Sequence, residues 1–180
     1  MGPDMTTTGT RVVYENRWMR VREDAIRRRD GSAGIYGVVE KPDFVAIAAV
    51  EAGVIHLVQQ YRYPVRGRWW ELPQGVWDAR PDADPVEAAR AELAEETGLR
   101  AAEMTHAGRL FTAYGTTNQG YHVFLASGLT AGERRPEAEE QDLISRPFAL
   151  AEVETMIRDG AIADSVTVAV LGLLRLKELL

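Results

Sequence analysis

The sequence predicts an α+β fold in which a mixed β-sheet lies between helices. Strand-like segments precede one capped helical segment at 85–97, and two further helical segments end the chain at 150–158 and 165–180. Strands that come before and between helices in this order are typical of a mixed sheet with helices packed on it. At 180 residues the chain is long enough to bury a substantial core.

The first elements are predicted to be strands. Residues 1–10 are polar and rich in Gly and Thr, so we expect a flexible lead-in. Apolar and polar residues alternate over much of 11–40, which predicts an N-terminal β segment. An unbroken apolar run at 44–50 and a second run at 54–60 are separated by Glu51–Gly53, and this pattern predicts a hairpin.

The helix predicted at 85–97 has well-defined ends. Asp84 is a good N-cap, Pro85 suits the first helical position, and Gly98 is the expected terminator. Apolar stretches after the helix predict two more strands around a loop at 115–120.

Three carboxylates share one side of this helix. Glu92, Glu95 and Glu96 stand at i, i+3 and i+4, so their side chains are neighbours. Like charges this close repel one another unless water, a basic partner or a cation neutralises them. Carboxylates suit hard divalent cations such as Mg²⁺, which also bridge to phosphates.

Composition excludes several function classes. The net charge of −6 and the pI near 5.2 argue against general nucleic-acid binding, which needs a basic face. The chain has no cysteine, so disulfides and thiol catalysis are excluded. No apolar run is long enough to cross a membrane, and the N-terminus does not have the order of a signal peptide, so we expect a cytoplasmic protein.

The segment from Gly75 to Leu99 resembles the Nudix box, a motif of hydrolases that cleave nucleoside diphosphates linked to another group. The matching positions belong to the second half of the box: Glu92, Leu93, Glu95, Glu96, Gly98 and Leu99. The chain departs from the box at Ala91, in place of its arginine, and at Ala83, in place of its first glutamate, and its loop is two residues longer.

The resemblance extends over most of the chain and is nearest to the ADP-ribose pyrophosphatase branch of the Nudix family. It implies an α/β/α sandwich, in which 41–180 form the Nudix hydrolase domain. The segment 11–40 corresponds to an N-terminal β segment that helps to form a homodimer in that branch.

The resemblance also implies a set of site residues. The metal, Mg²⁺ or alternatively Mn²⁺, is expected on the backbone carbonyl of Gln74 and on the three box glutamates Glu92, Glu95 and Glu96. A polar, acidic stretch at 131–141 is expected to be a surface loop. A carboxylate of the box, or Glu139 or Glu140 from this loop, is expected to act as the catalytic base.

Further residues are candidates for substrate binding. Arg62, in Gln60-Tyr61-Arg62, matches an arginine that binds phosphates in the family. Trp18 and Tyr114 are candidates to stack on a base, and the alternative for Trp18 is packing in the core or a dimer interface. His56, His106 and His122 are interpreted as strand residues and not as ligands.

The expected reaction is hydrolysis of ADP-ribose to AMP and ribose 5-phosphate. Tyr114 stands where ADP-ribose hydrolases commonly have a proline, so two other substrate classes stay open: nucleotide sugars such as GDP-mannose, and dinucleoside polyphosphates. A non-catalytic nucleotide sensor on the same scaffold is the remaining alternative, which Ala83 and Ala91 keep open.

Overall fold

The structure is a computed structural model that describes residues 4–76, 84–134 and 142–180. The chain divides into two compact units. The first unit comprises Met1–Asp43 and Phe111–Gly120, and the second comprises Phe44–Leu110 and Tyr121–Leu180. The candidate residues of the box all belong to the second unit.

The first unit contains an antiparallel three-stranded sheet in the order β1-β2-β3. Its strands are β1 (Met5–Glu15), β2 (Arg20–Arg28) and β3 (Ala33–Glu40). Residues 5–10 belong to β1, which differs from the expected flexible lead-in. Threonine favours extended backbone, and the backbone of this segment pairs with β2 from Met5 onward, so a polar composition here does not prevent strand formation.

The loop that carries Tyr114 is fixed to β3 within the first unit. Val39 forms a bridge with Thr117, and the Tyr36 hydroxyl donates to the Gly115 carbonyl at 3.3 Å. These bonds hold the backbone on the C-terminal side of Tyr114, while its side chain is 83% exposed.

A seven-stranded mixed sheet forms the second unit, with five strands in the order β10-β5-β4-β9-β8. Their bounds in chain order are β4 (Phe44–Glu51), β5 (Val54–Arg62), β8 (Leu99–Phe111), β9 (Gly120–Ala131) and β10 (Ile144–Ala149). The predicted hairpin of β4 and β5 is confirmed, because the two strands pair antiparallel. The sheet is mixed because β9 runs parallel to β4.

Two short strands complete the sheet and shape its edge. After a 3-10 turn at Tyr63–Val65, β6 (Gly67–Glu71) pairs antiparallel with β5. Next, β7 (Gln74–Gly75) pairs antiparallel with β4. The chain therefore folds back across two neighbouring strands within a few residues, which brings the end of β6 and the whole of β7 to the same part of the sheet.

Helices cover both faces of this sheet. They are α1 (Pro85–Thr97), α2 (Leu150–Arg158) and α3 (Ser165–Leu176). Alternate residues of β4 belong to different core clusters, because successive strand residues point to opposite faces. Val45 and Ile47 pack with α1, whereas Ala46 and Ala48 belong to the cluster that contains residues of α2 and α3. The predicted α/β/α sandwich is thus confirmed.

The ends of α1 are those that the sequence predicts. The Asp84 carboxylate accepts a hydrogen bond from the backbone N–H of Val86 at 3.0 Å. Gly98 ends the helix with a φ of +75°, in the left-handed region that favours glycine. Since both ends are fixed locally, the glutamates of α1 are held on a rigid element.

No helix in the described parts of the chain has the length and apolar character needed to span a membrane.

Candidate active site

A buried glutamate of α1 is bonded to the backbone of β7. The Glu96 side chain is fully buried, and its Oε2 accepts a hydrogen bond from the Gln74 N–H at 3.0 Å. Glu96 thereby fixes the backbone of the residue whose carbonyl is expected to bind a metal.

The second glutamate of this pair lies against the next residue of β7. A Cβ built on Gly75 would lie 2.5 Å from the carboxyl carbon of Glu92, closer than real Cβ atoms approach other atoms. Any larger residue at this position would displace the Glu92 carboxylate from its place beside β7. Because Glu92 and Glu96 are four residues apart on α1, both side chains reach the Gln74–Gly75 backbone.

An ion pair stands beside this backbone. Glu71, at the end of β6, is 3% exposed, and its Oε1 lies 2.7 Å from Nη2 of Arg62. Arg62 Nε donates to Oε2 of the same carboxylate at 3.2 Å. The Gln74 side-chain amide also donates to Oε2, at 3.0 Å. Glu71 therefore joins the predicted phosphate-binding arginine to the predicted metal-binding residue.

The environment of Glu71 shifts its acidity. Burial raises the pKa of the Glu71 carboxyl, and the negative charge of Asp164 raises that pKa further. Arg62 and the Gln74 amide oppose the shift but do not cancel it. For the pKa of Glu71, the desolvation of its carboxylate therefore outweighs the attraction to Arg62.

A hydrogen-bonded chain ties the segment between β6 and β7 to α3. The Thr167 hydroxyl accepts from the Leu72 N–H at 2.9 Å and donates to Oδ2 of Asp164 at 2.7 Å. Asp164 is also the N-cap of α3. Thr167 is fully buried, and its bond to the Leu72 N–H is buried with it. The two bonds together hold the approach to Gln74 in place.

Glu71, Asp164 and Thr167 were not among the predicted site residues. Glu71 stands in the Glu-x-Pro-x-Gly sequence, which could have indicated it, since a carboxylate next to a buried strand needs a partner. The roles of the other two depend on a contact across 95 residues of sequence, for which the sequence carries no local signal.

The third box glutamate borders a groove beside α1. Glu95 lines a groove together with Ala91, Ala94, Arg100 and Glu133. Ala91, which replaces the arginine of the box, is thus in the wall of this groove. The described structure brings Glu92 and Glu96 to β7 and places Glu95 on the adjoining side of α1.

Arg90 stands one residue before the missing box arginine and has a different role. Its Nη1 donates to the Ala101 carbonyl on β8 at 2.7 Å. Arg90 therefore fastens α1 to the neighbouring strand.

The remaining predicted site residues lie in the first unit or outside the described residues. Trp18 is 54% exposed in the first unit, with the guanidinium carbon of Arg17 4.1 Å from the centre of its ring. Tyr114 belongs to the same unit. Ala83, Glu139 and Glu140 lie outside the described residues, so their predicted roles stay predictions.

The donor set around β7 fits a hard divalent cation. The side chains at β7 are the carboxylates of Glu92 and Glu96, and the Gln74 carbonyl, the third predicted ligand, would also supply an oxygen. Among the described residues no group of three or more His, Asp or Glu side chains forms a complete ligand set. Mg²⁺ suits such an arrangement, because it commonly binds one or two carboxylates and keeps waters or phosphate oxygens as its other ligands.

Comparison with known proteins agrees with this geometry. The NUDIX domain family matches residues 40–168, and the family described as nucleoside diphosphate sugar hydrolase N-terminal domain matches residues 5–39. A relative named ADP-ribose pyrophosphatase from Mycobacterium tuberculosis is 34% identical over 169 residues, covering 92% of this chain and 81% of its own.

A second relative of the same name, from Bacillus subtilis, is 27% identical over 176 residues. The alignment covers 97% of this chain and 94% of that relative. A crystal structure described as an ADP compounds hydrolase superposes with a TM-score of 0.85 and 21% identity, covering 96% of this chain and 93% of that one. At this identity the superposition shows the fold alone. Because the NUDIX match spans most of the sequence and the fold agrees, the chain belongs to the Nudix family of hydrolases.

Proposed function

We propose that this protein hydrolyses the pyrophosphate bond of ADP-ribose, yielding AMP and ribose 5-phosphate, and that it requires Mg²⁺ or Mn²⁺. The observation that carries the proposal is the convergence of Glu92 and Glu96 on the Gln74–Gly75 backbone. The names of the two ADP-ribose pyrophosphatase relatives support the choice of substrate.

The residues of this chain would share the work as follows. Glu92, Glu96 and the Gln74 carbonyl would hold the cation. The chemistry that the cation supplies when bound is neutralisation of the diphosphate and activation of a water molecule. The water oxygen forms a bond to one phosphorus atom while the bridging P–O bond breaks, and the displaced phosphate leaves with the bridging oxygen.

The proton of the attacking water must go to a base. The side chains in this part of the chain that can accept the proton are carboxylates. Glu95 on α1 is the candidate for the base among the described residues. Glu139 and Glu140 are the alternatives and lie outside them.

Arg62 is proposed to bind the phosphates. Its side chain is 39% exposed while its partner Glu71 is 3% exposed, so part of the guanidinium faces solvent where a diphosphate could reach it. The two contacts to Glu71 limit how far the guanidinium can turn. A pre-oriented arginine loses less conformational entropy when it binds a phosphate than a free one does.

The proposal includes a homodimer formed through the three-stranded sheet of the first unit. Several large apolar side chains of this sheet are at least half exposed: Met5, Val12, Val13, Tyr14 and Ile35. Exposed apolar groups on one sheet favour burial against another surface. Light scattering coupled to size-exclusion chromatography should give about twice the chain mass of 20.0 kDa, and a monomer at all concentrations would refute the dimer.

A substrate panel tests the proposed activity. ADP-ribose, GDP-mannose and a dinucleoside tetraphosphate are incubated with the wild-type protein and Mg²⁺, and the products are separated by chromatography. The fastest turnover is expected for ADP-ribose, with AMP as product. Faster turnover of either other compound would replace the proposed substrate, and tight binding of ADP-ribose without turnover would indicate a nucleotide sensor.

A further inference from the structure

Two of the three histidines of the chain form a pair in the second unit. His106 is on β8 and His122 is on the neighbouring strand β9. His122 Nδ1 lies 3.2 Å from His106 Nε2, and the ring centres are 5.3 Å apart. The third histidine, His56, is on β5.

The pair lies apart from the carboxylates of α1. His122 pairs with Val45 of β4, and Val45 pairs on its other side with Gly75. Two strand spacings of about 4.8 Å therefore separate the backbone of His122 from the backbone on which Glu92 rests. His106 is exposed and His122 is partly exposed, so a dissolved cation can reach the pair.

The spacing of the two ring nitrogens matches a shared ligand. Two imidazole nitrogens that face each other at 3.2 Å hold one hydrogen atom between them, because one must donate and the other must accept. With Zn–N bonds of about 2.05 Å and a tetrahedral angle, the two nitrogens of a zinc site lie about 3.3 Å apart. The observed 3.2 Å between Nδ1 of His122 and Nε2 of His106 is close to this separation.

We propose that His106 and His122, which the sequence alone indicated as strand residues and not as ligands, bind one Zn²⁺ ion between β8 and β9, at a site separate from the carboxylates. Neutral imidazole nitrogens suit borderline metals such as zinc, whereas carboxylate and carbonyl oxygens suit Mg²⁺ and Mn²⁺, so the two sites select different cations. In the described residues no third His, Asp or Glu joins the pair. Water completes the coordination, and the ion exchanges with solvent.

The test uses the full chain without a histidine tag, freed of metal and then saturated with Mg²⁺ to fill the carboxylate site. Zn²⁺ is titrated at a pH where free imidazole is neutral, and binding is followed by calorimetry and by NMR of the imidazole rings. We expect one Zn²⁺ per chain and shifts of the His106 and His122 resonances, while those of His56 stay in place.

Variants separate the pair from adventitious binding. His106→Gln and His122→Gln should each weaken Zn²⁺ binding by more than about tenfold. Loss of a residue that only hydrogen-bonds a metal ligand already costs about tenfold, so loss of a ligand itself should cost more. His56→Gln should bind Zn²⁺ like the wild type. Circular dichroism checks that each variant is folded, and the wild-type NMR titration tests the site without any variant.

Three results would overturn the proposal: no Zn²⁺ binding to the wild type in excess Mg²⁺, shifts of His56 equal to those of the pair, or unchanged affinity in both variants of the pair. Because the histidine resonances and the histidine variants report on the pair directly, these results do not depend on hydrolase activity.

Discussion

Glu71 holds the guanidinium of Arg62 through both of its carboxylate oxygens, at 2.7 and 3.2 Å, although Glu71 is buried and Arg62 is partly exposed. Burial raises the pKa of Glu71 in spite of this partner, so the ionised carboxylate is less favoured in the folded protein than in the unfolded chain. The contribution that we assign to the ion pair is to orient the Arg62 guanidinium beside the proposed metal site.

The raised pKa of Glu71 predicts a pH dependence of stability. A carboxyl with a raised pKa binds its proton more tightly in the folded protein than in the unfolded chain. The free energy of unfolding therefore falls as the pH rises from the ordinary glutamate value of about 4.3 toward the folded pKa. At pH values below this range, the stability that Glu71 contributes in its protonated form is fully present.

Urea unfolding of the wild type and of Glu71→Gln across this pH range measures that contribution. The wild type should lose stability relative to the variant as the pH rises. Glu103→Gln, which changes an exposed glutamate of β8, is the control and should run parallel to the wild type. A wild type that gains stability relative to Glu71→Gln with rising pH would contradict the assignment.

Removing the arginine of the pair should affect both activity and stability. Arg62→Met leaves Glu71 buried without its cation, so the pKa of Glu71 should rise further and the loss of stability at neutral pH should exceed the loss in acid. Adding Glu71→Gln should restore stability, because the uncompensated charge is gone, but it should not restore a low KM for ADP-ribose.

Unfolding and steady-state rates are measured for the two single variants and the double variant to check both parts. Recovery of KM in the double variant would rule out phosphate binding by Arg62.

Gly75→Ala tests the contact between Glu92 and β7. The new methyl group would occupy the position of the Glu92 carboxyl, so the carboxylate must move. A displacement of about 1 Å can cost about 100-fold in rate, and we expect a loss of that size in kcat with the fold retained. Gly172→Ala, in open space on α3, is the matched control and should keep full activity. Equal activity of Gly75→Ala and wild type would show that the position of Glu92 does not matter.

Thr167→Val tests the connection between α3 and the segment before β7. The buried Leu72 N–H would lose its acceptor, which costs about 1–3 kcal/mol of stability. Thr167→Ser keeps the hydroxyl and should lie nearer to the wild type. Thr155→Val, on the exposed side of α2, should change the unfolding free energy by less than about 0.5 kcal/mol. Similar losses for Thr167→Val and Thr155→Val would argue against a special role of this bond.

Features that depend on nearby residues could be predicted from the sequence. The cap at Asp84 and the stop at Gly98 follow from residues a few positions apart, and the structure has both as expected. The prediction that Glu92, Glu95 and Glu96 share one side of α1 rests on the same kind of local spacing. The hairpin of β4 and β5 follows from two apolar runs with a short turn between them. In each case the interacting groups are close in the chain.

Features that depend on pairing across the fold could not be predicted. The sequence does not reveal that Gly75 lies under Glu92, because that depends on how β7 pairs with β4. The Thr167 bond to Leu72 and the facing rings of His106 and His122 likewise depend on strand order and helix placement. For residues 5–10 composition was misleading, since backbone pairing with β2 forms a strand without an apolar pattern.

The central claim is that Glu92 and Glu96 hold the cation that makes ADP-ribose hydrolysis possible. The most direct measurement is the rate of AMP formation from ADP-ribose with Mg²⁺ and after its removal by chelation, for wild type, Glu92→Gln, Glu96→Gln and the exposed α1 control Glu87→Gln. We expect turnover by the wild type and Glu87→Gln only with the metal, and at least about 100-fold slower turnover by the other two variants, since metal activation supplies several kcal/mol. Wild-type rates in folded Glu92→Gln and Glu96→Gln, or equal rates with and without Mg²⁺, would contradict the claim.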